Sequence, residues 1–273
     1  MQAFRSQLLA SARRSGSWLC VGLDPDPAQF PAGMGEEDTL EFCLGVVESV
    51  AEVACAVKPN AAFFEALGDL GSNALASLVE RMPQGLPVIL DGKRNDIGNT
   101  ATKYAEAAFD VLGADAVTVN PYLGRDTVEP FAAYGEKGVF LLTRTSNASA
   151  GDFQDMKVGG EALYMAVARK AMEWDREWRN LGLVAGATYP DELAALRKVC
   201  GDGVPFLVPG VGAQGANANT TLAKGADSKG QMALVNVGRG ILQAGKGEDW
   251  RKDVAAAARK FAKDLPFQVP AVS

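Results

Sequence analysis

Apolar residues in this chain gather into short unbroken runs, and between the runs lie longer stretches in which apolar positions recur three and four residues apart. A short apolar run closed by polar residues reads as a strand buried on both faces, and the longer spacing reads as a helix with one apolar side. Strand-like runs fall at 17–23, 54–57, 86–90, 116–119, 138–142, 183–187, 206–208 and 233–237. Helical spacing is clearest at 4–14, 36–53, 61–81, 161–180 and 249–263. Ile97, Ala101, Tyr104, Ala105 and Ala108 carry it after the third run, and a polar segment at 148–160 follows the fifth.

Strand and helix alternate with no linker, composition break or low-complexity tract between them. Alternation of this kind predicts a parallel sheet covered by helices, and eight units is the number that closes a barrel. The predicted fold class is therefore α/β, a (β/α)8 TIM barrel in a single domain over residues 1–273, with a short N-terminal helix before strand one. An open, doubly wound sheet is the other arrangement open to alternating units, but the spacing never divides into two halves.

Composition narrows the chemistry. With 48% hydrophobic and 22% charged residues, the chain reads as a globular protein. A net charge of −6 and a pI near 4.9 argue against nucleic-acid binding by bulk electrostatics, yet leave room for a local basic pocket holding a small anion. No apolar run approaches the ~18 residues needed to span a bilayer, and the first residues lack a signal-peptide core. Cys20, Cys43, Cys55 and Cys200 show no C-x-x-C spacing, so free thiols and a cytoplasmic location are expected. There is no histidine. That excludes Ser-His-Asp and Cys-His machinery and every His-ligated metal site, so proton transfer near neutral pH falls to Asp, Glu, Lys, Cys or Tyr with shifted pKa.

Barrel active sites are built at the C-terminal ends of the strands. Here those ends read Asp24, Lys58-Pro59-Asn60, Asp91-Gly92-Lys93, Asn120, Thr145-Ser146, Thr188, the segment 210–214 and Gly238-Arg239. Asp91 and Lys93, two apart at a strand end, are expected on one face. Asp96 stands just ahead of a helical pattern, so two carboxylates are expected to bracket one ammonium. Asp96 is equally suited to cap that helix, and Asp91–Lys93 could be a surface pair. Glycines at 210, 212 and 215 and the Gly-flanked Arg239 fall at strands seven and eight, where barrels bind phosphate. A phosphorylated small molecule is the expected ligand.

Taken together, Val57-Lys58-Pro59-Asn60, Asp91-Gly92-Lys93-Arg94-Asn95-Asp96-Ile97-Gly98, Arg144-Thr145-Ser146-Asn147, Pro209-Gly210-Val211-Gly212-Ala213-Gln214 and Val237-Gly238-Arg239 resemble the orotidine 5′-monophosphate decarboxylase family. The Arg and Gly placement looks like its longer bacterial subgroup (type 2). One departure is Asn147-Ala148, where that subgroup leads one to expect Asn-Pro.

The resemblance implies a homodimeric barrel that converts orotidylate to uridylate and carbon dioxide in pyrimidine biosynthesis, without metal or cofactor. It implies a charged tetrad of Lys58, Asp91, Lys93 and Asp96, the last donated by the partner subunit together with Thr100. Asp24 and Lys58 match ribose contacts, Ser146 or Thr145 a pyrimidine contact, and Gln214, Gly238 and Arg239 the phosphate grip. In this reading Lys93 stabilises the carbanion left by carbon dioxide and then donates a proton to it. At ~4 Å and an effective dielectric near 20, each aspartate beside it contributes about 4 kcal/mol of Coulomb energy before desolvation. The alternatives are a Mg2+-dependent sugar-phosphate enzyme on a related barrel, a Schiff-base aldolase and a non-catalytic phosphometabolite sensor. Arg94 and Thr145-Ser146 fit a nucleotide better than the first, and flanking aspartates would raise the pKa that the second needs lowered.

Overall fold

A computed structural model of the protein describes residues 3–212 and 215–267. Its frame is a set of parallel strands: β1 (Leu19–Leu23), β2 (Ala56–Pro59), β3 (Ile89–Arg94), β4 (Ala116–Val119), β5 (Gly138–Arg144), β6 (Leu181–Ala185), β7 (Phe206–Pro209) and β8 (Ala233–Val237). They are ordered β2-β1-β8-β7-β6-β5-β4-β3 in one sheet. The two ends of that order meet through bridges between Val57 and Val88 and between Asn60 and Asp91, and the Val57 N–H donates to Pro87 O at 3.0 Å. The sheet thus closes into the expected (β/α)8 barrel. A two-residue hairpin, Lys157–Val158 against Glu161–Ala162, stands outside it.

The longer helices, of eight residues or more, are α1 (Ala3–Ser15), α2 (Thr39–Val50), α3 (Gly68–Glu80), α4 (Gly98–Glu106), α5 (Arg125–Ala132), α6 (Leu163–Trp178), α7 (Pro190–Cys200), α8 (Ala218–Gly225) and α9 (Trp250–Asp264). From α2 on, one follows each strand. Among the described residues no helix is long and apolar enough to cross a membrane. All four cysteines are free, as expected.

Several boundaries shift by two or three residues from the sequence reading, and three of the departures have a clear physical cause. The helix expected over 61–81 breaks into Ala61–Glu65 and α3, because Gly68 takes a left-handed φ of +59° that ends one helix before the next begins. The sixth strand begins at Leu181 rather than 183, its polar neighbour Asn180 being buried and bonded to the carbonyls of Ala132, Tyr134 and Lys137. The third runs to Arg94 rather than stopping at Leu90, so the charged residues continue the ladder, with an irregularity between Leu90 and Arg94.

Helix α1 closes the N-terminal end of the barrel. Phe4 is buried at the start of β5, where a β-carbon on Gly138 would stand 2.3 Å from its ring, and it meets Phe140 edge-on at 5.9 Å. Arg5 donates to Leu181 O at 2.9 Å and pairs with Asp175 at 2.7 Å, while Gln7 reaches Asp115 ahead of β4. With this end plugged, the open mouth lies at the opposite end. Phe4→Ala should therefore destabilise the fold by about 3–5 kcal/mol, the range for emptying a buried aromatic site. Equilibrium urea unfolding checks this, and a loss under about 1 kcal/mol, typical of surface substitutions, would show that α1 does not close the barrel.

Candidate active site

The site grows out of the irregular end of β3. Lys93 adopts φ +45°, a left-handed conformation that costs a residue bearing a β-carbon about 1–3 kcal/mol. Its backbone N–H donates to Thr118 Oγ1 on the adjacent β4 at 2.9 Å. The side chain returns to the same strand, with Nζ 2.6 Å from Asp91 Oδ1. Lys58 Nζ, from the end of β2, lies 2.6 Å from Asp91 Oδ2, and Thr118 Oγ1 donates to Asp91 Oδ1 at 2.9 Å. Both carboxylate oxygens are thus taken by ammonium groups.

Burial separates the two lysines. Lys58 is buried, whereas the Lys93 side chain is 47% exposed and looks into the mouth. Desolvation works against the charge on Asp91, but attraction to Lys58 and Lys93 and their hydrogen bonds outweigh it and hold the carboxyl well below its usual range. Burial likewise works against the charge on Lys58, and Asp91 and Asp24 overcome it, so its pKa is raised. The Cys20 thiol, in β1 beside the cluster, is pushed up to about 12 by burial against the pull of Lys58. It stays protonated and is no nucleophile.

Asp24, just beyond β1, moves opposite to Asp91. Burial lifts its carboxyl above the usual range, Lys58 pulling it down and Asp91 adding to the lift. Its Oδ1 is buried without a hydrogen-bond partner. A β-carbon on Gly238 would stand 3.2 Å from its Oδ2, so the turn after β8 approaches this carboxylate because it carries no side chain. Arg239 is exposed and shares a shallow recess with Asp24, Asp26 and Gln29.

The cleft above the cluster has a volume of about 290 Å³. Lys58, Asp91, Lys93 and Thr118 form one wall, and Thr145, Ser146 and Asn147 face them. Thr145 is held in place by Gln154, which accepts from its N–H at 2.9 Å and donates to its Oγ1 at 2.8 Å. Gly186 lets Ser146 approach, since a β-carbon there would lie 2.9 Å from the Ser146 nitrogen. The cleft presents one half-exposed ammonium at its floor.

Other residues singled out in the sequence stand apart from this cluster within one chain. Within one chain the cluster is one carboxylate between two ammonium groups, where the sequence reading put two carboxylates around one. Asp96 Oδ1 accepts from the Ile97 N–H at 2.8 Å, a local bond at the entry to α4, and Thr100 is exposed on that helix. Arg94 turns from the cleft to pair with Glu65, its guanidinium 5.2 Å over the Tyr104 ring. Gln214 lies outside the described residues. Thr118 and Gln154 were not foreseen. For Thr118 the available signal was a lone hydroxyl between two valines in an otherwise apolar strand.

The fold is a (β/α)8 barrel with a lysine-bound aspartate and a half-exposed ammonium at the mouth where such barrels carry their sites. The family model described as orotidine 5′-phosphate decarboxylase / HUMPS family matches residues 17–253, and the chain belongs to that family. It is 49% identical over 266 residues to the orotidine 5′-phosphate decarboxylase of Dechloromonas aromatica, covering 95% of each chain. To that of a Roseiflexus species it is 46% identical over 265 residues, covering 96% of this chain and 95% of the other. The OMP decarboxylase structure from Leishmania donovani superposes with a TM-score of 0.82 at 38% identity, over 96% of this chain and 99% of that one. A more distant decarboxylase, that of Methanocaldococcus jannaschii complexed with the inhibitor BMP, shares the fold with a TM-score of 0.66 at 24% identity, over 90% of this chain and 97% of that one. By this membership the protein is a decarboxylase, a carboxy-lyase.

The opposed carboxylates make a stability prediction. Because the folded pKa of Asp24 is raised, its charge costs stability at neutral pH, and the cost fades as pH falls toward the unfolded carboxylate value near ~3.9. Asp24→Asn should therefore be more stable than the parent by about 0.5–2 kcal/mol at pH ~7.5, the advantage disappearing near pH ~4. Urea titrations at the two pH values check it. Equal stability at the higher pH would mean that the Asp24 charge is not strained.

Proposed function

We propose that the protein decarboxylates orotidine 5′-monophosphate to uridine 5′-monophosphate in de novo pyrimidine biosynthesis, with no cofactor. The observation that carries this reading is the Lys93 ammonium, paired with Asp91 at 2.6 Å yet half-exposed to the cleft. When the bond from the pyrimidine ring to its carboxylate breaks, carbon dioxide leaves and the electron pair stays on the ring carbon. A fixed ammonium beside that carbon stabilises the developing charge and then supplies the proton that replaces the carboxylate. Solvent returns the proton to Lys93. One group thus supplies both electrostatic stabilisation and the acid, and the equation balances without a co-reactant.

In this reading Asp91 orients Lys93 and keeps it charged, and its own charge crowds the substrate carboxylate. Lys58 and Asp24 hold the ribose, Ser146 and Thr145 the pyrimidine, and Gln214, Gly238 and Arg239 the phosphate. A Mg2+-dependent sugar-phosphate reaction would need Asp91 as a ligand, but both its oxygens lie 2.6 Å from lysine nitrogens. The active unit is a homodimer in which Asp96 and Thr100 reach the partner's site. Their positions support this: Thr100 is exposed and Asp96 half-buried, and beside them Ile97 is an apolar side chain 61% exposed.

The loss of orotidylate absorbance should proceed at the same rate after prolonged EDTA treatment. Absence of turnover would overturn the function, and activity lost to EDTA and restored by Mg2+ would favour the sugar-phosphate chemistry. Sharing of the site is tested by mixing. Lys93→Ala and Asp96→Ala proteins, each nearly inactive, are unfolded together and refolded. A mixed dimer then has one intact site and one doubly damaged site, and random pairing returns about one quarter of parent activity. Mixed dimers confirmed by mass spectrometry but inactive would place Asp96 in its own subunit's site.

A further inference from the structure

Thr118 stands in β4 between Val117 and Val119, buried to 1% exposure, where a third valine would fill the same space. Its Oγ1 meets two groups, the Lys93 backbone nitrogen and Asp91 Oδ1, each at 2.9 Å. The direction of both bonds is fixed by chemistry. A backbone N–H can only donate, so the hydroxyl oxygen accepts from Lys93. An ionised carboxylate can only accept, so the hydroxyl proton points at Asp91. Asp91 Oδ1 also receives the Lys93 ammonium at 2.6 Å. The lysine is therefore gripped at both ends by one connected set of bonds, from its backbone through Thr118 and Asp91 to its own Nζ.

That grip matters because of where Lys93 sits. Its φ of +45° is one that residues with a β-carbon seldom adopt, and its long side chain is half-exposed. Neither feature holds an ammonium still. The backbone conformation sets the point from which the side chain departs, and the carboxylate sets where it ends. We propose that Thr118 is a positioning residue for the decarboxylation, its hydroxyl fixing the Lys93 ammonium by pinning the backbone that carries it and the carboxylate that receives it. This rests on the decarboxylase reading above. Thr118 neither exchanges a proton with substrate nor contributes to the phosphate grip, so its effect belongs to the chemical step.

The test compares Thr118→Val, which keeps the shape and removes the hydroxyl, with Thr118→Ser, which keeps the hydroxyl and removes a methyl. Misplacing a reacting group by ~1 Å can cost on the order of 100-fold, so the valine variant should lose about 10- to 100-fold in kcat while KM stays within about 3-fold. The serine variant should stay within about 3-fold of the parent in kcat, since the hydrogen-bonding group is retained. Uridine 5′-monophosphate, which lacks the carboxylate, should bind parent and valine variant alike, because phosphate, ribose and ring contacts are intact. An active parent with an equally active valine variant overturns this inference alone. So does a serine variant as impaired as valine, or a loss seen equally in kcat and in uridylate affinity, for then Thr118 only packs. If the valine variant does not fold, Thr118→Cys replaces it: its weak S–H donor predicts a kcat below that of the serine variant but above the loss expected for valine, and parent-like activity overturns the proposal. A parent that leaves orotidylate unchanged overturns the functional reading and this inference with it.

Discussion

The Asp91 carboxylate, buried between the ammonium groups of Lys58 and Lys93, is the interaction on which the rest of the mouth depends. Removing Asp91 would leave the buried Lys58 ammonium without its paired carboxylate, a change that costs about 3–5 kcal/mol in buried pairs. The pair also has a place in the architecture. Strands β2 and β3 are the two ends of the sheet order, joined by single bridges rather than a continuous ladder. The Lys58–Asp91 bond crosses that seam beside the Asn60–Asp91 bridge. One ion pair thus fastens the barrel where its backbone bonding is sparsest, and the same carboxylate holds the Lys93 ammonium at the mouth.

Around this pair the carboxylates are pulled in opposite directions. Asp91 is held ionised by two cations, and Asp24, a strand away, is lifted by burial with one oxygen unpartnered. Carboxyl groups whose surroundings drive them apart mark sites arranged for something other than stability. In the proposed reaction, a field assembled before the ligand arrives would need no reorganisation. The strain at Lys93 and Asp24 belongs to the same account: locally unfavourable features survive because the surrounding barrel fixes them.

How much of this could be read from sequence follows from the range of each interaction. The strand ends were legible because apolar runs stopped by Asp24, Lys58, Asp91 and Thr145 are local patterns, and barrel topology brings them to one face. The helix break at Gly68 was not, since the spacing of apolar residues continues across a left-handed glycine without a change of phase. Strand alternation predicted that Asp91 and Lys93 share a face. They do meet, but through an irregular strand and a positive φ, which no alternation rule contains. Thr118 was missed for a different reason. A threonine among valines is an ordinary strand residue until the neighbouring strand's register is known. Helices α5 and α8 are eight residues each, too short for their periodicity to delimit them.

The loop after β5 shows how one departure from an expected motif is accommodated. Ala148 stands where the family resemblance leads one to expect proline, so no ring restricts the chain beyond Asn147. Side chains supply the restraint instead. Gln154 bonds the main chain and the hydroxyl of Thr145, and Thr145 Oγ1 in turn donates to Asn147 Oδ1 at 2.7 Å. Arg144 is buried beneath, its guanidinium 3.9 Å over the Tyr189 ring and reaching Gln154 and Asp155 at 3.3 Å. A proline acts by narrowing the unfolded ensemble, whereas these bonds act only in the folded loop. The two devices differ in consequence: a loop ordered by Gln154 and Arg144 is as firm as their contacts, and the orientation of Thr145 and Ser146 toward the cleft is tied to the polar segment that follows them.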